Sequence, residues 1–238
     1  MHSAQESALD NPVWSSLATR HAHLAQCGAP GRPGEPRALR YPPDYSPLSA
    51  TLGTAPEDIA ALHRLPAPGD DVIALAAQVG LPPPNWRVEH RIHALQMIRR
   101  DPTPLPQAGI EITPLTAIDA VDMIALVELT RPGPFRRRTV ELGAFVGIRE
   151  HGRLLAMAGE RLWIGDHREV SGVCTHPDAQ GRGLAAALMS HVINRMLRNG
   201  QVPFLHVESD NARALALYER LGFVTRTDFS LVHATRTT

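Results

Sequence analysis

A strand, a glycine-containing turn and a helix are predicted in succession between residues 169 and 200, and together they would hold a phosphate-bearing ligand. Residues 169–175 are rich in β-branched and small side chains and lack a helical period, which predicts a strand. Gly181 and Gly183 allow a tight turn that brings backbone amides against a ligand. The alanine-rich segment that follows predicts a helix ending at Gly200. The first amides of a helix have no intrahelical partner and lie at its positive end, which suits a pyrophosphate.

Two common phosphate-binding motifs do not describe this segment. A P-loop has a lysine after its glycines, whereas this chain contains no lysine and all 24 of its Lys and Arg positions are arginine. The dinucleotide motif GxGxxG is incomplete here, and the turn lies late in the chain instead of after a first strand. A tight strand-to-helix turn without any ligand is the remaining structural alternative.

The residues of the turn match a more specific pattern. Gln180, Gly183 and Ala185 reproduce Gln/Arg-x-x-Gly-x-Gly/Ala, and this segment resembles the coenzyme A loop of the GNAT acetyltransferase superfamily. Three other segments resemble the same superfamily: LTRPGPF at 129–135, LAMAGERL at 155–162 and LYERLGF at 217–223. Together they are similar to a bacterial branch in which a longer N-terminal part precedes the catalytic domain.

The resemblance implies that coenzyme A binds mainly through the main chain. Backbone amides of residues 180–185 would bind the pyrophosphate, and residues 173–175 would pair with the pantetheine arm as an added strand does. Arg182 is either a phosphate ligand or a solvated loop residue, and Asn211 either reaches the pantetheine or only caps the next helix. The coenzyme-binding residues expected from the resemblance are Val173, Cys174, Thr175, Gln180, Gly181, Arg182, Gly183, Leu184, Ala185 and Asn211.

The resemblance also implies the residues that move protons. Glu169 matches the catalytic glutamate of the fourth strand in this superfamily and is the expected general base, with a surface carboxylate as the alternative. Glu160 is the second candidate, acting through water, and His206 is the third. Two carboxylates near one cleft would raise each other's pKa toward neutral pH, where proton transfer from an ammonium is most useful.

Strand alternation and thiol chemistry refine this expectation. Alternation places Glu169, Ser171, Val173 and Thr175 on one side of the predicted strand.

Cys174 suggests a covalent acyl-cysteine, but a buried cysteine is usually a small apolar residue and no neighbour in the sequence clearly lowers its pKa. We therefore expect direct attack of the amine in a ternary complex.

Tyr218 is the expected proton donor to the departing coenzyme A thiolate. It matches the tyrosine that has this role in the superfamily, although a core aromatic residue is the alternative because it shares a helix face with Ala214 and Leu221. The arginine-rich segment 131–138 would line the acceptor side of the cleft, where arginines hold carboxylates or form a solvated turn. It does not identify the acceptor.

Composition restricts the class of protein and its partners. The chain has 238 residues, its acidic and basic residues balance at 24 each, and no overall charge attracts nucleic acid or an anionic membrane. Cys27 and Cys174 form neither a disulfide framework nor a zinc pattern, so no metal is expected. We find no export signal or membrane anchor and expect the cytoplasm. The expected acceptor is a small-molecule amine or an amine of a peptide or protein, and a homodimer is an open possibility.

The predicted elements divide the chain at a proline-rich segment. Asp101, Pro102, Pro104 and Pro106 favour an extended boundary, which gives an N-terminal α/β region at 1–107 and a GNAT domain at 108–238. A loop at 28–47 and a breaker at 82–84 are also predicted. Strands are predicted at 39–41, 72–77, 88–97, 110–115, 141–148, 154–163, 202–208 and 224–233, and helices from Pro12, at 55–65 with Thr54 and Glu57 as caps, at 117–129 and at 212–221.

The fold class expected is therefore α/β (α+β), with the mixed central sheet of the GNAT fold after a smaller N-terminal α/β region of unknown role, for which a decayed GNAT-like half is one interpretation. The activity expected is transfer of acetyl from acetyl-CoA to a primary amine. Two alternatives stay open: an N-acyltransferase with a longer acyl donor, and a non-catalytic sensor that binds acyl-CoA and contacts a partner.

Overall fold

The computed structural model describes residues 7–27, 36–80, 82 and 85–237. The predictions for 28–35 and for 83–84 lie outside the described residues. Five helices are described: α1 Pro12–Ala18, α2 Pro56–His63, α3 Ala120–Thr130, α4 Leu184–Arg198 and α5 Ala212–Arg220. The strands are β1 Gln26–Cys27, β2 Ala38–Arg40, β3 Leu48–Thr51, β4 Asp71–Ala76, β5 Trp86–Ile98, β6 Thr113–Leu115, β7 Phe145–Glu150, β8 Arg153–Ile164, β9 His167–Thr175, β10 Val202–Glu208 and β11 Val224–Arg236.

All of these strands form one mixed sheet. Their order is β1-β2-β3-β4-β11-β5-β10-β9-β8-β7-β6. Two neighbouring pairs are parallel, β3 with β4 and β9 with β10, and each of them is connected through a helix. The other neighbouring pairs in this list are antiparallel. The mixed α+β sheet that the sequence predicted is confirmed.

In the middle of the sheet, each of the two regions of the chain contributes a strand that pairs with strands of the other region. β5 precedes the proline-rich segment, yet it pairs with β10, while β11 from the end of the chain pairs with β4. β5 and β11 also pair with each other along their length, from Val224 opposite Ile98 to Arg236 opposite Trp86. Both regions thus contribute to a single sheet. The division at 107 and 108 stays a prediction.

Two hydrophobic clusters cover the sheet near its centre. α4 is amphipathic and buries Leu188, Val192 and Met196 against the strands of the C-terminal part. α1 buries Val13 and Leu17 in a second cluster that also contains aromatic residues of β10 and β11. α4 packs on β9 and β10, the strands that matter most for the site, whereas α1 packs on β8 and on the N-terminal strands β2, β3 and β4.

Several predicted boundaries are corrected by the structure. α2 begins after Ala55, which makes no side-chain cap, so the predicted capping by Thr54 and Glu57 is wrong. Pro56 at the first helical position explains the shift, since its missing N–H needs no cap. The strand predicted at 110–115 is only β6, because residues 110–112 pair with no strand among the residues that the structure describes. The strand predicted at 141–148 begins at Phe145, after a short 3-10 turn at Thr139–Leu142.

Candidate active site

A cleft opens where the parallel strands β9 and β10 stop pairing. They are paired at three positions, the last of which places Phe204 opposite Glu169. Beyond that point the strands diverge, and within the described part of the chain no strand pairs with the β9 edge that faces β10. The lining residues of the cleft are Pro132, Gly133, Pro134, Phe135, Arg161, Glu169, Val170, Ser171, Gly172, Val173, His206 and Tyr218. An extended ligand with amide groups can pair with such an edge.

The glycine turn after β9 leads directly into α4. Gly181 and Gly183 have φ angles of 78° and 76°, in the left-handed region that other residues rarely adopt. The first helical bond runs from the Ala187 amide to the Gly183 carbonyl at 3.0 Å, so the amides just before Ala187 have no intrahelical acceptor. The first turn of α4 contains no acidic residue. Its positive end is therefore open to an anion.

Side chains beside this turn are held by other protein groups. Arg182 forms an ion pair with Glu150. Gln180 Oε1 accepts from Arg213 at 2.6 Å. Asn211 Oδ1 accepts from the Ala214 amide at 3.1 Å, which is the cap of α5. Binding of an anion at this turn therefore rests on the main chain, and the roles of these side chains toward a coenzyme stay predictions.

A bulge in β9 changes which residues face the cleft. Gly172 has a φ of 63°, and the β8–β9 register shifts between Cys174 and Ser171. As a result Val170 and Val173 pack against the same hydrophobic cluster. The prediction that simple alternation places Glu169, Ser171, Val173 and Thr175 on one side is wrong. The extra residue of the bulge is the cause.

Glu169 lies at the point of divergence in a closed ion pair. It is 1% exposed. Its two carboxylate oxygens accept from Arg161 Nε and Nη2, both at 2.8 Å. His206 Nδ1 lies 2.8 Å from Glu169 Oε1. Because a carboxylate only accepts, Nδ1 carries the histidine proton.

A hydrogen-bond chain continues from His206 across the sheet. Gln96, which is fully buried in β5, donates from Nε2 to His206 Nε2 at 3.0 Å and to the Leu9 carbonyl at 2.9 Å. Gln96 Oε1 accepts from Arg226, which also pairs with Asp10. The chain thus connects the cleft to the first described residues of the protein.

The environment of Glu169 sets the direction of its pKa. Burial by itself raises the pKa of a carboxyl group, but the charge and hydrogen bonds of Arg161, and then of His206, lower the pKa of Glu169 to about 2. Burial also lowers the pKa of His206. The expectation that two carboxylates raise each other's pKa is wrong for Glu169, because its nearest charged neighbours are an arginine and a histidine.

Glu160 forms ion pairs with two arginines and does not contact the cleft. It is 6% exposed and accepts from Arg168 Nε at 2.7 Å and from Arg195 Nη2 of α4 at 2.9 Å. It is not among the residues that line the cleft, which include Glu169. A catalytic role for Glu160 stays a prediction.

Tyr218 and Cys174 are both buried and both remain protonated at neutral pH. Burial raises the pKa of Tyr218 to about 12 and that of Cys174 to about 11. Tyr218 lines the cleft, and no hydrogen bond of its hydroxyl is found within the described ranges. Cys174 packs among Met157 and Phe145 in an apolar cluster. At neutral pH the Tyr218 hydroxyl can therefore donate a proton, whereas Cys174 is a thiol and not a nucleophilic thiolate.

Comparison with known proteins agrees with this geometry. The model of the Acetyltransferase (GNAT) family matches residues 119–223. The crystal structure of a GNAT-family protein from Novosphingobium aromaticivorans is 38% identical, covers 97% of this chain and 99% of that chain, and superposes with a TM-score of 0.86. The chain belongs to the GNAT acetyltransferase family. This confirms the family and the fold that the sequence predicted.

Curated relatives of this GNAT protein match a shorter part of it. The [Ribosomal protein bS18]-alanine N-acetyltransferase of Escherichia coli is 34% identical over 77 residues, which are 32% of this chain and 51% of the relative. The mycothiol acetyltransferase of Corynebacterium jeikeium is 45% identical over 73 residues, 30% of this chain and 20% of the relative. The chain thus spans about half of the first relative's length and less of the second.

No helix in the described ranges is long and apolar enough to cross a bilayer. Among the same residues, no group of three or more His, Cys, Asp or Glu side chains is arranged to hold a metal ion.

Three site residues were missed by the sequence analysis. Arg161 contacts Glu169, Gln96 contacts His206, and Arg226 donates to Gln96. Arg161 follows Glu160 in a segment that resembles the family, so a search for a counter-charge to Glu169 on the neighbouring strand would have found it. Gln96 and Arg226 gave no local signal, since they reach the site only through the exchanged strands β5 and β11.

We expect the ion pair at Glu169 to stabilise the fold in a pH-dependent manner. Glu169→Gln leaves Arg161 buried without its counter-charge, so the free energy of unfolding at pH 7 should fall by about 3–5 kcal/mol. The pKa of Glu169 is lowered from 4.5 to about 2 on folding. Its stabilisation is therefore complete above pH 4.5 and is lost as the pH falls toward 2.

Guanidinium chloride unfolding at pH 7 and pH 3 measures this effect. The difference between wild type and Glu169→Gln should be clearly smaller at pH 3. Glu111→Gln, at an exposed position, controls for the general effect of removing a carboxylate. An equal loss of stability at both pH values would contradict the lowered pKa.

Proposed function

We propose that this protein is an N-acetyltransferase that transfers acetyl from acetyl-CoA to a primary amine by direct attack in a ternary complex. One observation carries the proposal. The diverging parallel strands β9 and β10 leave an unpaired strand edge that runs into a glycine turn and a helix without acidic residues in its first turn. This combination suits a ligand that is an extended amide at one end and a diphosphate at the other.

The coenzyme would lie along β9 and end at α4. The pantetheine amides would pair with the free edge at Val173, Cys174 and Thr175. The diphosphate would accept from main-chain amides between Gln180 and Ala185, where Gly181 and Gly183 let the backbone approach. The thioester would then lie near the point of divergence, close to Tyr218.

Glu169 is the group in the cleft that would meet the acceptor amine. A carboxylate whose pKa is about 2 stays charged at neutral pH. We therefore assign to Glu169 the binding of the ammonium, or of a water beside it, and the ammonium first loses one proton through that water to solvent. The neutral nitrogen then attacks the thioester carbonyl carbon, the C–N bond forms, the C–S bond breaks, and the nitrogen loses its second proton.

Tyr218 would supply the proton of the leaving thiolate. Its pKa of about 12 keeps the hydroxyl protonated at neutral pH, and its position in the cleft wall places it beside the diverging edge. Donating this proton produces coenzyme A as a neutral thiol, and the second proton lost by the nitrogen restores the Tyr218 hydroxyl. The raised pKa of Cys174 argues for direct transfer and against an acyl-cysteine.

Incubation with acetyl-CoA and a library of amines tests the function. Mass spectrometry of products, with release of thiol, should identify at least one acetylated amine. The library should contain peptides with an N-terminal alanine, because one relative is named for alanine of bS18, as well as small-molecule amines. A second panel replaces acetyl-CoA by longer acyl-CoA donors. Tight binding of coenzyme A with no product from either panel would reject catalysis and support the acyl-CoA sensor.

We expect Glu169→Gln to lower turnover about 100-fold, with a much smaller effect on the affinity for acetyl-CoA, because the amide cannot replace the negative charge beside the ammonium. Glu160→Gln is the matched control, since Glu160 is equally buried beside arginines but is not part of the cleft wall. Both variants are assayed at a temperature where circular dichroism shows them folded. An unchanged rate for Glu169→Gln across the pH range rejects its role, and a loss confined to Glu160→Gln transfers that role to Glu160.

Tyr218→Phe should retain the fold and slow acetyl transfer about 100-fold, since it removes the thiolate's proton donor without removing packing. Stopped-flow measurement of thiol release checks the rate, and thermal unfolding checks the fold. Tyr45→Phe serves as the control, because the Tyr45 hydroxyl contacts Glu141 and does not line the cleft. Equal rates for wild type and Tyr218→Phe would limit Tyr218 to a packing role.

A further inference from the structure

The cleft beside β9 contains an arginine whose free edge the proposed reaction does not use. Arg161 is the only arginine among the cleft-lining residues that the structure describes. Its side chain is 7% exposed, so it lies almost entirely inside the protein. Nε and Nη2 both donate to Glu169 at 2.8 Å. A guanidinium has five N–H donors in one plane, so three of them point away from Glu169.

The Nη1 atom of Arg161 is both unpartnered and accessible. Within the described ranges no hydrogen bond of Nη1 is found, and Arg161 donates from its other two nitrogens to Glu169. The unpartnered side-chain atoms that are sealed from solvent include Nη1 of Arg168 but not Nη1 of Arg161. An N–H left unpaired in so enclosed a place costs free energy. A molecule in the cleft can reach this end of the guanidinium and satisfy it.

The groups around Arg161 leave the cleft without net charge. Glu169 compensates Arg161, and burial lowers the pKa of His206, which is therefore neutral at pH 7. Burial raises the pKa of Tyr218 and that of Tyr41 behind the ion pair, so both hydroxyls are protonated. An amine without a negative group would bring an uncompensated positive charge into the cleft. A molecule with an ammonium and a carboxylate brings no net charge, and each of its charged groups meets an opposite charge.

The arginine-rich segment 131–138 does not provide this contact. Its residues in the cleft wall are 132–135, and none of its arginines, all of which the structure describes, lines the cleft. Arg136 and Arg138 form ion pairs with acidic side chains. The volume of the cleft is about 60 Å³, against roughly 300–1,000 Å³ for sites of drug-sized ligands. The cleft therefore accepts a small head group, and Arg161 is the cation that this group meets.

We propose that the cleft receives a small amino acid as the acceptor and that Arg161 binds its carboxylate. This inference rests on the proposed function, in which Glu169 binds the acceptor ammonium directly or through a water. The carboxylate accepts from Nη1–H and from the second Nη2–H of Arg161, the two parallel donors at the end of the guanidinium. Both members of the ion pair then hold the substrate. Arg161 is thereby a specificity-determining residue as well as the counter-charge of Glu169.

Titration calorimetry on the full chain tests the proposal without acetyl transfer. Glycine, L-alanine, L-serine and L-leucine are each compared with their own amide in the presence of saturating coenzyme A. The amide keeps the amine and the side chain but has no negative charge. At least one amino acid should bind about tenfold more tightly than its amide, as expected for charge-assisted hydrogen bonds. Absence of heat with every amino acid, or equal or tighter binding of the amide in every pair, would overturn the proposal.

The same pairs are then assayed as acceptors with acetyl-CoA. The amine of an amino acid amide loses its proton more readily than that of the amino acid, so the chemical step by itself favours the amide. A higher kcat/KM for an amino acid than for its amide therefore reports recognition of the carboxylate. Acetylation of other amines with a lower kcat/KM for every amino acid would overturn this inference and leave the proposed function standing. Tighter binding of amino acids without any product would reject the activity and still support the carboxylate site.

Arg161→Lys is the decisive variant. The single ammonium of lysine keeps a positive charge beside Glu169 but has no second edge for a carboxylate. The variant should weaken binding of the preferred amino acid about tenfold and leave binding of its amide nearly unchanged. Arg168→Lys is the matched control, because Arg168 is equally buried in an ion pair but does not line the cleft. It should keep the preference of the wild type for the amino acid.

The preference for the amino acid over its amide separates recognition from stability. A merely structural contribution of Arg161 would weaken binding of both compounds alike. An unchanged preference in folded Arg161→Lys would therefore overturn the role of Arg161. Circular dichroism checks that both variants are folded. If Arg161→Lys does not fold, the comparison of amino acids with amides in the wild type decides by itself.

Discussion

The functional geometry depends on a buried ion pair at the point where β9 and β10 separate. Arg161 and Glu169 face each other from neighbouring strands, and both are almost inaccessible to solvent. Two charges in such a place are tolerated because their hydrogen bonds are bidentate and because His206 donates to the carboxylate as well. The pair keeps an ionised carboxylate and its guanidinium partner together at the inner end of the cleft. These two charged groups, together with the free edge of β9, give the cleft its polarity.

The two parallel strand pairs of this sheet show how one architecture is given different chemistry by its helix ends. Each consists of two parallel strands connected through a turn and a helix. α4 begins after two glycines and without acidic residues, whereas α2 begins with a proline followed by Glu57 and Asp58. The end of α4 is therefore positive and accessible, and the end of α2 is neutralised. The distinction lies in a few residues of each first turn.

Local signals were sufficient for much of the fold and for the turn before α4. The strand 202–208 was predicted with its observed bounds, because an apolar run and the flanking turns define it locally. The helix ending before Gly200 and the glycine turn were predicted for the same reason. The bulge at Gly172 could not be predicted from periodicity, since one extra residue reverses the side on which Val173 lies. Gln96 was unpredictable in another way, because its contact with His206 joins residues 110 positions apart.

The exchange of β5 and β11 has a consequence for synthesis of the chain. β4 has β11 as its neighbour toward the centre of the sheet, and β11 is made after every other strand. While the nascent chain emerges from the ribosome, the N-terminal strands therefore keep an exposed edge until residues 224–236 have appeared. Domains of many proteins complete their folding one after another during translation. Here the two halves can finish only together, after the last strand has left the exit tunnel.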